Sequence, residues 1–420
     1  MIVTFVGAGS FDFTGPALRS LMPVAARHGL RIYLCDRDPE ALAAMENIAR
    51  RLAEEYGARV PIERFTDVEP AVKETSFVII TLNHGGLEAD LADFHNARDH
   101  GFFPKHVDTF GPAGWLRALR MGSFMRSLLS ALPSGATVLD LSNPLSLIVR
   151  MAHRRGFRAL GFCHGAMNRR ASFKSWLGLR EDPEMVVWGT NHLSYLTTLR
   201  GERRDLYPEL VKFLRSSPDH RNWRYNVELY DLYGMMPVLE TQHIADSFPG
   251  FNDEQSMKDY GLHLWECESR RANAENRRRR IRAFASGESP ISEVRASSEG
   301  VAEVIDALLG GPPHRGILNA PTPEPTNGMP AGAIAEGWMM VSSRGVDFKL
   351  APSLPKEIQQ HLYRIHRQQD LALEAFETGN LEKLVEVYLL EPNLTEEFTA
   401  RSMLQCALQD HETLLLREWG

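Results

Sequence analysis

Apolar positions along the first 165 residues alternate between two periods. Ile2–Val6 is a short apolar run ended by Gly7, as in a buried strand, and Thr14–Arg27 follows with helical spacing. Arg31–Cys35 predicts a second strand, Pro39–Tyr56 a helix, Ser76–Leu82 a third strand, Pro112–Leu132 a helix, Ala136–Leu141 a fourth strand and Ala159–Phe162 a fifth. Strands separated by helical stretches predict βαβ units with right-handed crossovers, hence an α/β, Rossmann-like, doubly wound parallel sheet. The rhythm changes after Gly165. Met185–Trp188 and Leu193–Leu199 read as neighbouring strands divided by Gly189-Thr190-Asn191-His192, and Gly310–Gly332 reads as a loop rich in Pro, Gly and Asn. From Pro355 to about Trp419 the pattern predicts two or three helices. The expected organisation is a nucleotide-binding domain over 1–190 and an α+β substrate, metal and oligomerisation domain with a helical C-terminus over 191–420.

Composition narrows the function classes. Among 420 residues, 43% are hydrophobic and 24% charged, which excludes a disordered chain or a rod. The formal net charge of −7 gives no global footprint for nucleic acid or an anionic membrane. The run Arg277–Arg280 is therefore read as a solvated helix face or an oligomer contact. Cys35, Cys163, Cys267 and Cys406 are dispersed, with no CxxC pair, as in a reducing compartment. No apolar run reaches the roughly 20 residues that span a bilayer, and the opening run has no basic leader pattern. The expectation is a cytoplasmic protein.

Three local patterns carry chemistry. Gly7-Ala8-Gly9-Ser10 lies between the first strand and the first helix. The first glycine permits a tight turn and the second a close approach to a pyrophosphate, which the helix N-terminus would then bind. The third glycine of the usual fingerprint is replaced by Asp12. Asp36 ends the second strand, where a carboxylate bonds ribose hydroxyls and disfavours a 2′-phosphate, so NAD is expected over NADP. Cys163, at the end of a strand, and His192, at a sharp turn, admit two readings: an open divalent-metal pair, or an inert buried cysteine with a hydrogen-bonded core histidine. Asn143 follows a strand. Asp108 and Thr109 open a helix and can simply cap it. His243 and Asp246, three apart, can share a helix face.

Taken together in their order and spacing, the segments GAGSFDFT, LCDRDPEAL, TLNHGG, DTFGPAGWLRALR, LSNPLS, GFCHG, TNHLSYL and RDLYPEL make the chain resemble the family 4 glycoside hydrolases over nearly its full length. Such enzymes are an NAD-dependent exception to two-carboxylate glycosidases. The resemblance implies C3 oxidation of the sugar by NAD⁺ with a divalent metal, typically Mn²⁺. C2 deprotonation, elimination of the glycosidic oxygen, water addition and return of the hydride follow. It implies Cys163 and His192 as metal ligands. It implies a cofactor set of Gly7, Gly9, Ser10, Phe11, Asp36, Asn83 and Asn143, and substrate contacts from Asp108, Asn143, Asn191 and His243. His164 would assist leaving-group departure. The family's Glu-Tyr-x-Pro-Tyr-like stretch is Asp246-Ser247-Phe248-Pro249-Gly250 here, so Asp246 is the first candidate for the C2 base. Tyr233, His243 and a metal-bound hydroxide stand in reserve. Val107-Asp108-Thr109, in place of Gln-Glu-Thr, resembles the branch acting on unphosphorylated glucosides or uronides. A small carbohydrate partner and a homodimer or homotetramer are implied. The competing readings are a malate/lactate-type 2-hydroxy acid dehydrogenase, which needs no metal and gives Cys163 no role, and a non-catalytic NAD sensor.

Overall fold

Successive strand residues of the N-terminal half point to opposite faces of a sheet that is covered on both sides. Val3 and Phe5 enter one core, with Phe77 and Ile79, while Val6 enters the other, with Val78 and Ile80. The computed structural model describes residues 1–201, 204–265, 267–348, 352–394 and 396–415. Its first part is β1 (Ile2–Val6), α1 (Phe11–His28), β2 (Arg31–Cys35), α2 (Pro39–Glu55), β3 (Ile62–Phe65), α3 (Val68–Val72), β4 (Phe77–Ile80), α4 (Gly86–Asp99), α5 (Gly111–Ala131), β5 (Thr137–Asp140), α6 (Leu145–Arg154), β6 (Arg158–Gly161) and α7 (Gly165–Trp176). Parallel pairing orders these strands β3-β2-β1-β4-β5-β6, the doubly wound dinucleotide-binding order expected from the alternation.

The second part continues the same sheet. It comprises β7 (Glu184–Thr190), β8 (Leu193–Gly201), β9 (Arg204–Asp205), α8 (Tyr207–Ser216), α9 (Arg224–Tyr233), β10 (Met236–Pro237), α10 (Thr241–Ile244), α11 (Glu254–Asp259), α12 (Cys267–Ser286), α13 (Val301–Leu308), β11 (His314–Pro321), β12 (Ile334–Ser342), β13 (Gly345–Phe348), α14 (Lys356–Thr378), α15 (Glu382–Leu389) and α16 (Glu397–Asp410). Beyond β6 the order runs β11-β12-β7-β8-β10, with antiparallel pairing. The loop expected over Gly310–Gly332 therefore contains a strand. Its Ile317, Leu318, Asn319 and Ala320 are buried between β6 and β12, and tertiary burial overrides the local Pro and Gly content. The C-terminal helices number three as far as Asp410, and residues 416–420, where the helical reading ended, lie outside the described residues. Among the described residues no helix is long and apolar enough to cross a membrane.

A buried ionic network ties the last helix to the cleft end of the sheet. Arg120 is fully buried on α5. It donates to Asp93 at 3.0 Å and to Asn83 at 2.8 Å, and it pairs with Asp90 at 2.5 Å. Beyond α16, His411 bonds the other Asp93 oxygen at 2.7 Å. Replacing Arg120 by Met leaves buried Asp93 without its guanidinium and Asp90 with Arg117 alone. The expected cost is roughly 3–5 kcal/mol, read as a shift in chemical denaturation. A loss below about 1 kcal/mol would show that the network relaxes without it.

Candidate active site

The carboxyl ends of β1, β2, β4 and β5 open into one cavity of about 1140 Å³. Gly7, Gly9, Ser10, Phe11, Asp36, Asn83, Asp108, Asn143 and His164 all line it, so the structure brings these separated residues to one cleft. The glycine turn is built for close approach. Gly7 has φ +91°, and a Cβ there would lie 2.4 Å from the Leu82 Cβ. Gly9 N–H donates to Asp36 Oδ2 at 2.7 Å, and Asp38 N–H donates to Asp36 Oδ1 at 3.0 Å, which fixes the carboxylate at the end of β2. Ser10 caps α1 without a side-chain hydrogen bond, leaving the helix N-terminus facing the cavity. Asn83 is held by Asp90 at 2.7 Å and by Arg120. Arg117 donates to the Asn143 carbonyl at 3.1 Å.

Cys163 and His192 follow strands that one cross-strand line joins. Gly161 pairs with Asn319, Asn319 with Glu336, and Glu336 with Gly189. Cys163 therefore follows β6, and His192 follows β7, from one cross-strand line. Beneath them Glu336 accepts from Ser194 Oγ at 2.6 Å, Asn191 Nδ2 at 3.1 Å and Asn319 Nδ2 at 3.2 Å. Asn191, the residue beside His192, is among the groups that favour the Cys163 thiolate. Burial and the negative charges of Glu336 and Glu299 push the Cys163 thiol up.

His192 occupies the left-handed region at φ 64°, uncommon for a side chain of this size. Thr109 fixes its tautomer. The Thr109 hydroxyl donates to Asp108 Oδ1 at 2.9 Å, so its oxygen accepts from His192 Nδ1 at 3.1 Å. That leaves the His192 Nε2 lone pair available. Burial holds His192 down to about 4, which makes it neutral near pH 7. Burial opposes ionisation of Asp108, but the facing imidazoles, Arg117 and the Thr109 hydroxyl outweigh it and hold the carboxyl low. A thiol and a neutral imidazole with a free Nε2 are a donor set suited to a borderline divalent cation. Among the described residues no three His, Cys, Asp or Glu side chains form a complete metal cage, so such a pair leaves positions open to substrate oxygens. Asn191 Oδ1 and Glu299 Oε2 are buried without a hydrogen-bond partner among the described residues.

The sequence model of the family 4 glycosyl hydrolases matches residues 2–179, and that of the family 4 glycosyl hydrolase C-terminal domain matches 187–394. The chain belongs to glycoside hydrolase family 4. It is 24% identical over 440 residues to an alpha-galacturonidase of Bacillus subtilis, covering 97% of each chain. It is 22% identical over 418 residues to an alpha-galactosidase of the same organism, covering 96% of this chain and 95% of that one. A 6-phospho-beta-glucosidase from Thermotoga maritima, solved with manganese, NAD⁺ and glucose-6-phosphate, shares the fold with a TM-score of 0.82. Its identity is 17%, over 99% of both chains. Membership in this glycoside hydrolase family sets aside the 2-hydroxy acid dehydrogenase alternative.

Within this family 4 chain, three candidate proton acceptors sit in different surroundings. Asp246 is engaged elsewhere: Oδ2 accepts the Lys105 and His106 N–H groups at 3.0 Å each, and Oδ1 pairs with buried Lys105 Nζ at 3.1 Å. It holds the 105–106 loop and, like His243, Cys163 and His192, is not among the described residues lining the large cleft. Tyr233 ends α9, packed against the core around β7 and β8, and is also absent from the described cleft wall. His243 instead faces the His192 ring at 5.9 Å and stacks on His106 at 4.5 Å. Its Nδ1 is bonded to Glu240 at 2.9 Å, and Glu240 also pairs with Arg169. Although burial opposes the charge, the His243 bond and Arg169 hold Glu240 down to about 2.

His106, Glu240 and Glu299 were not singled out from sequence. Burial pushes His106 down to about 3, and its Nε2 is a buried atom without a partner among the described residues. Glu299 bonds His164 Nδ1 at 2.5 Å and raises the His164 pKa. These residues join the site through tertiary folding, and only the proximity of His106 to the Asp108-Thr109 motif was a local signal.

Proposed function

We propose that the protein is an NAD- and divalent-metal-dependent glycosidase for unphosphorylated sugars or uronides. The observation that carries this reading is a His192 whose Nδ1 is occupied by Thr109 beside Asp108 of the glycine-turn cleft, together with a strand-end Cys163 next to His164 of the same cleft. The residues fit both groups: the cradle at Gly7 and Gly9 leaves room only for backbone, and the thiol–imidazole pair has the donor chemistry of a divalent site. Bound there, the cofactor supplies reversible hydride acceptance at C3 and the cation Lewis-acid polarisation of the sugar oxygens.

The chain's own residues do the rest. Asp36 and the turn orient the nucleotide. Asn143 and Asp108 stand where cofactor cleft and sugar pocket meet, joined by a 3.4 Å contact. His164, steered by Glu299, faces the cleft as the group that assists leaving-group departure. His243, oriented by Glu240, takes the C2 proton in place of Asp246. His243→Gln is expected to slow turnover by about 10²–10⁴-fold. Asp246→Asn is expected to lower stability and leave the pH profile of the residual activity unchanged. Equal turnover of His243→Gln and wild type would move the base elsewhere.

Substrate charge gives a separate test. Asp108, held ionised beside His192, opposes a phosphate dianion, and two relatives carry the names alpha-galacturonidase and alpha-galactosidase. In a screen of aryl α- and β-glycosides, glycuronides and their 6-phospho analogues with NAD⁺ and Mn²⁺ under reducing conditions, unphosphorylated substrates should be cleaved. A strong preference for a 6-phosphoglycoside would overturn this substrate assignment.

A further inference from the structure

The arginine run that reads as a solvated face does not face only solvent. α12 crosses the mouth of the cleft. Near its start Arg271 pairs with Glu88 of α4 at 3.3 Å, and near its end Arg282 pairs with Glu40 of α2 at 2.8 Å. Phe284 anchors it by stacking on Phe11 of α1, ring centroids 5.6 Å apart. Arg270, Ala274, Arg277, Arg278 and Ile281 all line the cavity that Gly7, Gly9, Ser10 and Asp36 line from the other side. Their spacing of 4, 7, 8 and 11 residues from Arg270 is that of a single helical stripe. The helix thus brings three arginines to the wall of the cavity that holds the glycine turn.

One of them answers the departure from the glycine fingerprint. Asp12 replaces the third glycine and lies in the first turn of α1. A carboxylate there favours the helix dipole but repels any anion brought to the same N–H groups. Arg277 pairs with Asp12 at 3.0 Å across the cleft and cancels that charge. Among the described residues Arg278 has only a 3.9 Å ion pair with Glu275, and Arg270 lies 5.5 Å from the centroid of the Trp265 ring. Both residues stand in the wall of a cavity of a size to take an extended ligand.

We propose that this face of α12 is a diphosphate clamp: Arg277 screens Asp12 while Arg278 and Arg270 bind the phosphates of a dinucleotide seated on the glycine turn. The clamp rests on the NAD reading above and adds a cationic wall supplied from outside the strand–turn–helix unit. A guanidinium–phosphate contact is charge-assisted and weakens with ionic strength where it is solvent-exposed.

The test is NADH binding to the full-length protein, followed by fluorescence titration, with adenosine as a phosphate-free probe in calorimetry. Arg277→Gln and Arg278→Gln should each weaken NADH by about tenfold, and the double variant by about 100-fold, with adenosine affinity unchanged. Asp12→Asn in the Arg277→Gln background should restore most of the loss, because the repulsion is removed with its screen. Wild-type NADH affinity should fall with added salt more steeply than that of the double variant. Thermal melting checks that the variants fold. Unchanged NADH affinity in a folded double variant, or equal losses for NADH and adenosine, would overturn the clamp alone. A wild-type protein that binds no NADH would overturn the cofactor reading and the clamp with it.

Discussion

Cys163→Ser and His192→Ala are each expected to lower metal-stimulated turnover by about 10³-fold, the size of a lost Lewis-acid contribution of several kcal/mol. Both side chains lie at strand ends and are only partly buried, so thermal stability should change little. Metal content after dialysis should fall in parallel with activity, whereas NADH binding should persist because the glycine turn is untouched. Full metal occupancy in both variants would contradict the ligand assignment. The two protonation states give the pH dependence its sign. His192, down at about 4, is neutral through the range where the protein works and contributes no slope there. The Cys163 thiol, pushed up by burial, Glu336 and Glu299, must lose its proton to bind a cation. Metal affinity should therefore rise with pH, by up to about tenfold per unit, until the folded-state thiol titrates. Cys163→Ser should flatten that slope. A metal affinity independent of pH in the wild type would place the cation on other groups.

The parts of the site that were legible in sequence are those made by neighbours along the chain. Gly7, Gly9 and Asp36 are spaced by a strand–turn–helix–strand unit whose geometry is local, and the structure shows Gly9 bonded to Asp36 as that geometry requires. Cys163 and His192 were legible only as strand-end residues, because their relation depends on two strands placed between β6 and β7 in the sheet. One of these, β11, is hidden in a stretch rich in Pro and Gly. The other, β12, carries Glu336, a buried carboxyl that no local pattern marks as core.

Helical periodicity misled at Asp246. A helix face shared with His243 requires the helix to persist, but α10 ends at Ile244 and a 3₁₀ turn carries Asp246 toward Lys105. The arginine run is a largely solvated helix face as read, with Arg278, Arg279 and Arg280 exposed, but Arg277 and Arg278 also line the cleft. Its spacing was read correctly as helical, yet which face met solvent was decided by α2, α4 and the stacking of Phe284 on Phe11.

The central claim is that the glycosidic bond is broken by elimination after oxidation, and isotope incorporation at C2 of the released sugar tests it most directly. If His243 removes the C2 proton, that proton enters exchange with solvent before the hydride returns. Hydrolysis of an accepted aryl glycoside in D₂O, with NAD⁺ and Mn²⁺ present, should then give sugar deuterated at C2, read by NMR or mass spectrometry on product isolated early in the reaction. Substrate deuterated at C2 should also turn over more slowly where proton removal limits the rate. Direct displacement at the anomeric carbon never breaks the C2–H bond. Sugar released in D₂O with only protium at C2 would contradict the redox-elimination account, whatever the metal content and cofactor affinity prove to be.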